Sequence, residues 1–209
     1  MDPKEKTLKQ NIYAAMLEAI LRGDYRPGTP FTEKELVEKF AVSKSPIREA
    51  LIELCHEGVL RSIPRYGYEV LKIDDRDIAN VKSYRILVEC GSLERYWDNL
   101  PLDRIRTMQA ELEQGRHAKT DLLGHWNRNS TFHLNLISLY GNQYLYEALA
   151  SALKLMARAY TQFQWEKWRE PAFIGEATNH QQVLSYILAG QKAEALATLE
   201  KDIMGFAQR

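Results

Sequence analysis

The sequence predicts a mainly α-helical chain in two parts, three short helices closed by a β-hairpin and then an all-helical bundle. Three observations predict it. Apolar residues recur at helical spacing from Thr7 onward, with capping and stop residues at the expected places. Strand-like runs occur in one place only, VLRSI and GYEVLKI flanking Pro64-Arg65-Tyr66-Gly67. Beyond Asp74 the strand signals stop and long helical patterns follow. The change of pattern at Lys72 to Asp75 divides the chain into residues 1–73 and 74–209.

In the first part, Ile12, Met16, Ala19 and Ile20 give helix one its apolar stripe, and Gly23 stops it. Pro27-Gly28 suits the central positions of a type II turn. Thr32 with Glu35 makes a capping box for a short second helix ending near Ala41. Ser45 and Pro46 read as the cap and first residue of a third helix that runs to Glu57 and stops at Gly58. Its residues Ile47, Ala50, Leu51 and Leu54 share one face, leaving Ser45, Arg48, Glu49 and Ile52 off it. In the second part, breaks at Pro101, near Gly124, at Gly141-Asn142, at Arg169-Glu170-Pro171 and at Gly190 leave about six helices, 75–98, 102–117, 121–140, 143–168, 173–189 and 191–207.

Composition narrows the class. The 209 residues are 45% hydrophobic and 27% charged, with 28 basic side chains against 28 acidic ones. The part up to Lys72 is equally balanced, 12 basic to 11 acidic, so any affinity for nucleic acid rests on where particular cations stand. No apolar run is long enough to span a bilayer, and MDPKEKTLKQ lacks the apolar core of a signal peptide, so a cytoplasmic protein with no membrane partner is expected. Cys55 and Cys90, without a CxxC pair, read as free, buried thiols.

Two short helices joined by the tight turn Ala41-Val42-Ser43-Lys44, with a packing helix before and a hairpin after, have the plan of a winged helix-turn-helix. That plan sends helix three into the DNA major groove, with Lys44 and Ser45 at its N-terminus, where free N–H groups favour phosphate. Arg48, one turn on, reaches guanine O6 and N7 as a bidentate donor, and Lys34 and Arg65 flank it. The string GDYRPGTPFTEKELVEKFAVSKSPIREALIELCHEGVL, over about residues 10–72, resembles the DNA-binding signature of the GntR family of bacterial transcription regulators. By that resemblance Lys34, Ser43, Lys44, Ser45, Arg48 and Gly67 match the family's DNA-contacting positions. Lys44 stands where arginine is usual and Ser45 where threonine is common, and lysine cannot make arginine's fork.

In the second part Asn129 and His133 are four apart, on one helix face. His180 precedes Gly190 by ten residues and Asp202 follows it by twelve, so an antiparallel hairpin brings both to one level. Two imidazoles, a carboxylate and an amide oxygen in a bundle suit zinc, nickel, manganese or iron. Residues 75–207 resemble, more loosely, the FCD effector domain of the FadR subgroup, a bundle of about six or seven helices. That resemblance implies a divalent metal at Asn129, His133, His180 and Asp202, with Asp202 standing where the family has histidine, and a small carboxylate effector anchored on the metal. Arg85, four before Glu89, looks like the family's R-x-x-x-E pair and either contacts the effector or makes an intrahelical ion pair. The aromatics Tyr160, Phe163, Trp165 and Trp168 read as core or pocket wall, and His56, His117 and His125 as solvated.

The expected protein is a regulator that dimerises on a pseudo-palindromic operator in double-stranded DNA and shifts population with its effector, a repressor rather than an enzyme. A metal-dependent hydrolase or oxygenase in the bundle, or a metal-free ligand-binding regulator, are the alternatives. The chain has no Gly-rich phosphate loop, G-x-S-x-G or H-E-x-x-H to support an enzyme.

Overall fold

A computed structural model describes residues 7–115, 122–166 and 176–205. The described residues are mainly helical with one two-stranded sheet, and they fall into two compact units, Met1–Asp74 with Thr161–Glu166 and Asp75–Tyr160 with Lys167–Arg209. No helix among the described residues is long and apolar enough to cross a membrane.

The first unit is a winged helix-turn-helix. Helix α1 (Leu8–Arg22) opens on a Thr7/Gln10 capping box and closes on Gly23, whose φ of 89° is left-handed. The Pro27-Gly28 turn forms as the residues dictate: the Thr29 N–H donates to the Arg26 carbonyl at 3.2 Å, and Gly28 takes φ 79°. Helix α2 (Glu33–Phe40) carries the expected box, in which the Glu35 N–H donates to Thr32 Oγ1 and the Thr32 N–H to Glu35 Oε2. Helix α3 is Lys44–His56, with Ser43 as its N-cap. It therefore starts two residues before the Pro46 start expected from sequence. Pro46 is tolerated there because the first four N–H groups of any helix lack an intrahelical partner. Ser45 does not cap; its hydroxyl donates to Glu49 Oε1 one turn on.

Strands β1 (Leu60–Ile63) and β2 (Gly67–Val70) pair antiparallel, from Leu60 opposite Val70 to Ile63 opposite Gly67. Arg65 is exposed at the hairpin tip with φ 69°. Two bridges tie the loop before α2 to β2, Pro27 with Val70 and Phe31 with Tyr68; in the second the Phe31 N–H donates to the Tyr68 carbonyl at 2.8 Å and the Tyr68 N–H returns to the Phe31 carbonyl at 2.9 Å. Beneath lie Ile12, Met16, Leu36, Ile47, Leu51 and Leu54, all buried. Cys55 is only half-buried, short of the burial expected.

The second unit is all-helical among its described residues. It comprises α4 (Asp75–Arg85), a π-helical turn (Ile86–Cys90), α5 (Gly91–Tyr96), a 3₁₀ turn (Trp97–Asn99), α6 (Leu102–Gly115), α7 (Leu122–Ser138), α9 (Glu176–Leu188) and α10 (Lys192–Gly205). Helix α8 (Gln143–Glu166) contributes its residues up to Tyr160. The single helix expected over 75–98 is thus interrupted by the π turn, which 3.6-residue periodicity does not reveal. Leu93, Ile105, Phe132, Val183, Leu184, Ala195 and Leu199 form the core. Cys90 is likewise half-buried, and burial pushes its thiol up to about 12.

Gly67 is constrained by packing. Its φ is 121°, and an added Cβ would stand 2.2 Å from the Phe31 carbonyl oxygen. Gly67→Ala should therefore destabilise this unit by about 2 kcal/mol or more through strain and backbone displacement. The check is urea unfolding of the full chain followed by circular dichroism, where Gly28→Ala, with open space around its Cβ, is the comparison that carries only the positive-φ cost.

Candidate functional site

The expected DNA-contacting residues all lie in the first unit. Ser43, Lys44 and Ser45 are exposed at the start of α3, and Ser43 makes no side-chain cap bond. Lys34 is exposed in the first turn of α2, 3.9 Å from Glu38. Arg48 follows on the outer face of α3, its side chain 54% exposed.

Glu33, which sequence reasoning passed over, joins several of these. Arg48 Nε donates to Glu33 Oε1 at 3.1 Å and Nη2 donates to Oε2 at 3.2 Å. Lys44 Nζ lies 3.1 Å from Oε2, and the Tyr68 hydroxyl donates to Oε1 at 3.2 Å. The hydrogen bonds from Arg48 hold the Glu33 carboxyl below its usual range, against partial burial and with help from Lys44 and Tyr68.

The second constellation lies inside the helical unit. Asn129, His133, His180 and Asp202 are all buried. His133 on α7, His180 on α9 and Asp202 on α10 offer ligand atoms within 4.8 Å of one another. Nε2 of each imidazole is 3.2 Å from Asp202 Oδ2. The α9–α10 hairpin thus brings His180 level with Asp202 across the Gly190 turn. Asn129 is buried one turn before His133, as the four-residue spacing requires.

Around these residues stands a supporting shell. Arg85 Nε donates to Glu89 Oε1 at 2.7 Å, and Glu89 Oε2 is 2.6 Å from His133 Nδ1. The Arg85–Glu89 pair is only 2 to 3% exposed, so the intrahelical pair exists but is a core element. Phe132 stacks on the His180 ring with centroids 3.9 Å apart, and Asn179 Nδ2 donates to Asp202 Oδ1 at 3.3 Å. The link from Glu89 to His133, and the roles of Phe132 and Asn179, were missed. The only sequence signal was Glu89 itself, four residues after Arg85.

The electrostatics favour a proton or a cation beside His133 Nε2. Glu89 accepts a hydrogen bond from Nδ1–H of neutral His133, which leaves the Nε2 lone pair facing an aspartate oxygen. His133 Nε2 is buried and makes no aligned hydrogen bond among the described residues. A neutral His180 with its proton on Nε2 donates to Asp202 Oδ2 at 3.2 Å, whereas the His133 lone pair and the carboxylate repel unless a proton or a metal ion lies between them. Without metal the proton does this. Burial lowers the His133 pKa, but the Glu89 carboxylate, opposed by Arg85 and aided by Asp202, raises it above the usual imidazole value. Asp202, despite burial, is held far below the carboxylate range by the two imidazoles. The donor set also fits a divalent ion, since bonds of about 2.0 to 2.2 Å place neighbouring ligand atoms roughly 3 Å apart.

Arg85 Nη2 is buried and without a hydrogen-bond partner among the described residues. Tyr160 stacks on Trp126 at 5.5 Å. The side chains of Phe163, Trp165 and His125, and all of Trp168 and His117, lie outside the described residues. His56 is exposed, as expected.

Comparison with known proteins covers both units. Residues 8–70 match the family described as bacterial regulatory proteins, gntR family, and residues 81–203 match the FCD domain. An HTH-type transcriptional regulator in an unstable DNA locus of Streptomyces ambofaciens is 31% identical over 159 residues, 74% of this chain and 65% of that protein. The HTH-type transcriptional repressor RspR of Escherichia coli is 32% identical over 111 residues, 53% of this chain and 49% of that one. The chain spans between about half and just under two thirds of the first curated relatives it matches. Among solved structures, E. coli McbR/YncC aligns with a TM-score of 0.74 at 21% identity, covering 96% of this chain and 95% of that one, which shows a common fold.

Removing the Glu89 charge leaves Arg85 and His133 buried without their counter-ion, so Glu89→Gln should cost about 3 kcal/mol or more in unfolding free energy. Burial alone would raise the Glu89 pKa, but His133 and Arg85 bring it below its ordinary value. The pair's contribution is therefore present above the unfolded carboxyl pKa of about 4.3 and lost as pH falls through the lower folded value. Denaturant titrations in chelator between pH 7 and pH 3 check this. The gap between wild type and Glu89→Gln should narrow at the acid end, and a constant gap would dismiss the charge as its cause.

Proposed function

The chain belongs to the GntR family of bacterial regulatory proteins with an FCD domain, and from that membership we propose that it is a sequence-specific DNA-binding repressor controlled by a small carboxylate effector. Residues 1–73 serve as the reading head and 74–209 as the sensor and dimerisation part. Two copies read a pseudo-palindromic operator in the cytoplasm, because one helix in one major groove gives few base contacts. In each head α3 enters the groove. Arg48 reads guanine, Lys44, Ser43 and Ser45 hold phosphate at the helix start, and Lys34, Arg65 and the wing at Gly67 flank them.

The observation that carries the sensor reading is the pair of imidazole nitrogens, each 3.2 Å from Asp202 Oδ2. His133, His180 and Asp202, with the Asn129 amide, would hold a divalent ion, and its open positions would take the effector carboxylate. Glu89 orients the His133 ring, and the free donor of Arg85 supplies the second handle for an anion. Effector then weakens operator binding by its differential affinity for the two states of the dimer.

Two measurements test the halves separately. Arg48→Ala should reduce affinity for the selected operator about fivefold or more in a gel-shift titration, and unchanged affinity would remove Arg48 from the reading surface. Freshly purified wild type should carry about one divalent ion per chain by plasma emission, in zinc, nickel, manganese or iron. His133→Ala with His180→Ala should carry none. Equal metal content in that variant would place the ion elsewhere.

A further inference from the structure

Glu33 opens α2, and a glutamate in the first turn has an ordinary explanation in the helix dipole. Glu35 already fills that role while closing the capping box on Thr32. Glu33 instead reaches residues 15 and 35 positions away, on α3 and on the wing. A carboxylate on a surface meant for phosphate lowers affinity by simple charge, so its presence among Lys44, Arg48 and Tyr68 needs another reason.

The geometry supplies one. A guanidinium has two in-plane edges, and Glu33 occupies one of them through Nε and Nη2. The other edge, Nη1 with the second Nη2 proton, stays free on a side chain 54% exposed. That free edge is the one an end-on pair with guanine O6 and N7 uses. The same carboxylate is met by the Tyr68 hydroxyl, and the Tyr68 backbone forms the bridge to Phe31. The anchor of the fork is thereby tied to the wing as well as to α2.

We propose that Glu33 is a positioning residue for base reading: its carboxylate fixes the Arg48 fork with one edge outward, and so sets sequence discrimination at a cost in general DNA affinity. The proposal rests on the DNA-reading function above. A side chain held in this way loses less freedom on docking and tolerates fewer base edges than a free arginine, which would follow any phosphate or purine within reach.

The test uses the full chain and duplexes selected by the wild type from a random library, with a scrambled duplex of equal length as reference. The quantity read is the ratio of affinities for selected and scrambled DNA. Glu33→Gln should lower that ratio fivefold or more while scrambled-duplex affinity stays level or rises; a smaller fall, or an equal loss on both duplexes, overturns the proposal. Arg48→Lys, which keeps the charge but gives up the fork, should lower the ratio similarly, and adding Glu33→Gln to it should change the ratio no further. A second, independent fall in the double variant would show that Glu33 does not act through Arg48. Melting curves accompany each variant, and if Glu33→Gln unfolds early, Glu33→Ala is read by the same criteria. Should the wild type enrich no sequence at all, the DNA-reading function itself falls, an outcome distinct from a wild type that selects normally and is matched by Glu33→Gln.

Discussion

One buried carboxylate facing two imidazoles governs the helical unit. Asp202 is buried and ionised, with Nε2 of His133 and of His180 each 3.2 Å from the same oxygen. Desolvation penalises a lone buried carboxylate, and donated hydrogen bonds from Asn179 and an imidazole N–H, or a cation among the ligand atoms, offset that penalty. The surroundings serve that end. Glu89 turns His133 so that Nε2 looks inward, Arg85 neutralises Glu89, Phe132 holds the His180 ring by stacking, and Asn179 takes the other oxygen of Asp202. These contacts draw on α4, the π turn after it, α7, α9 and α10, so a cation held there would be felt by five segments of the bundle.

The reading head uses the reverse arrangement, one carboxylate among cations at a surface. Glu33 gathers Lys44, Arg48 and the Tyr68 hydroxyl while most of both cations remains in solvent. Exposed ion pairs of this sort contribute little to stability, so their value lies in orientation. Below them the backbone is less forgiving. Phe31 and Tyr68 exchange two hydrogen bonds, and Gly67 leaves no room for a side chain beside the Phe31 carbonyl. Gly67, which resemblance offered as a DNA contact, thus has a packing reason to be glycine whatever it touches.

Much of this was legible in the residues. The Thr32/Glu35 box, the Pro27-Gly28 turn, the apolar face of α3 and the level of His180 with Asp202 follow from local rules of capping, turn chemistry and rise per residue. Three features were not legible, for separate reasons. Helix α3 starts at Lys44 because proline without its N–H is acceptable anywhere in the first turn, so Pro46 marks the neighbourhood of a start and not its residue. The π turn at Ile86–Cys90 has no periodic signature. The bonds from Glu89 to His133 and from Glu33 to Arg48 and Tyr68 cross between elements, at separations of 44, 15 and 35 residues, and spacing rules reach only within a helix or across a known hairpin. Arg85 shows the same limit from another side: its pairing with Glu89 was readable at i, i+4, whereas its burial was not.

The departure at Asp202 changes what the sensor would ask of its ligand. A divalent ion held by neutral imidazoles alone keeps both of its charges to attract an anion, whereas one held partly by a carboxylate keeps only one. The aspartate also adds a hard oxygen donor, which moves preference away from the softest metals and toward those content with mixed nitrogen and oxygen ligands. With such a metal's pull reduced, the rest of the recognition would fall to fixed protein donors. Arg85 is placed for that, because Glu89 engages its Nε and leaves Nη2 buried and without a hydrogen-bond partner among the described residues. An arginine donor out of water is strong and directional toward a carboxylate, so selectivity in this chain would rest more on the effector's shape at Arg85 than on its charge at the metal.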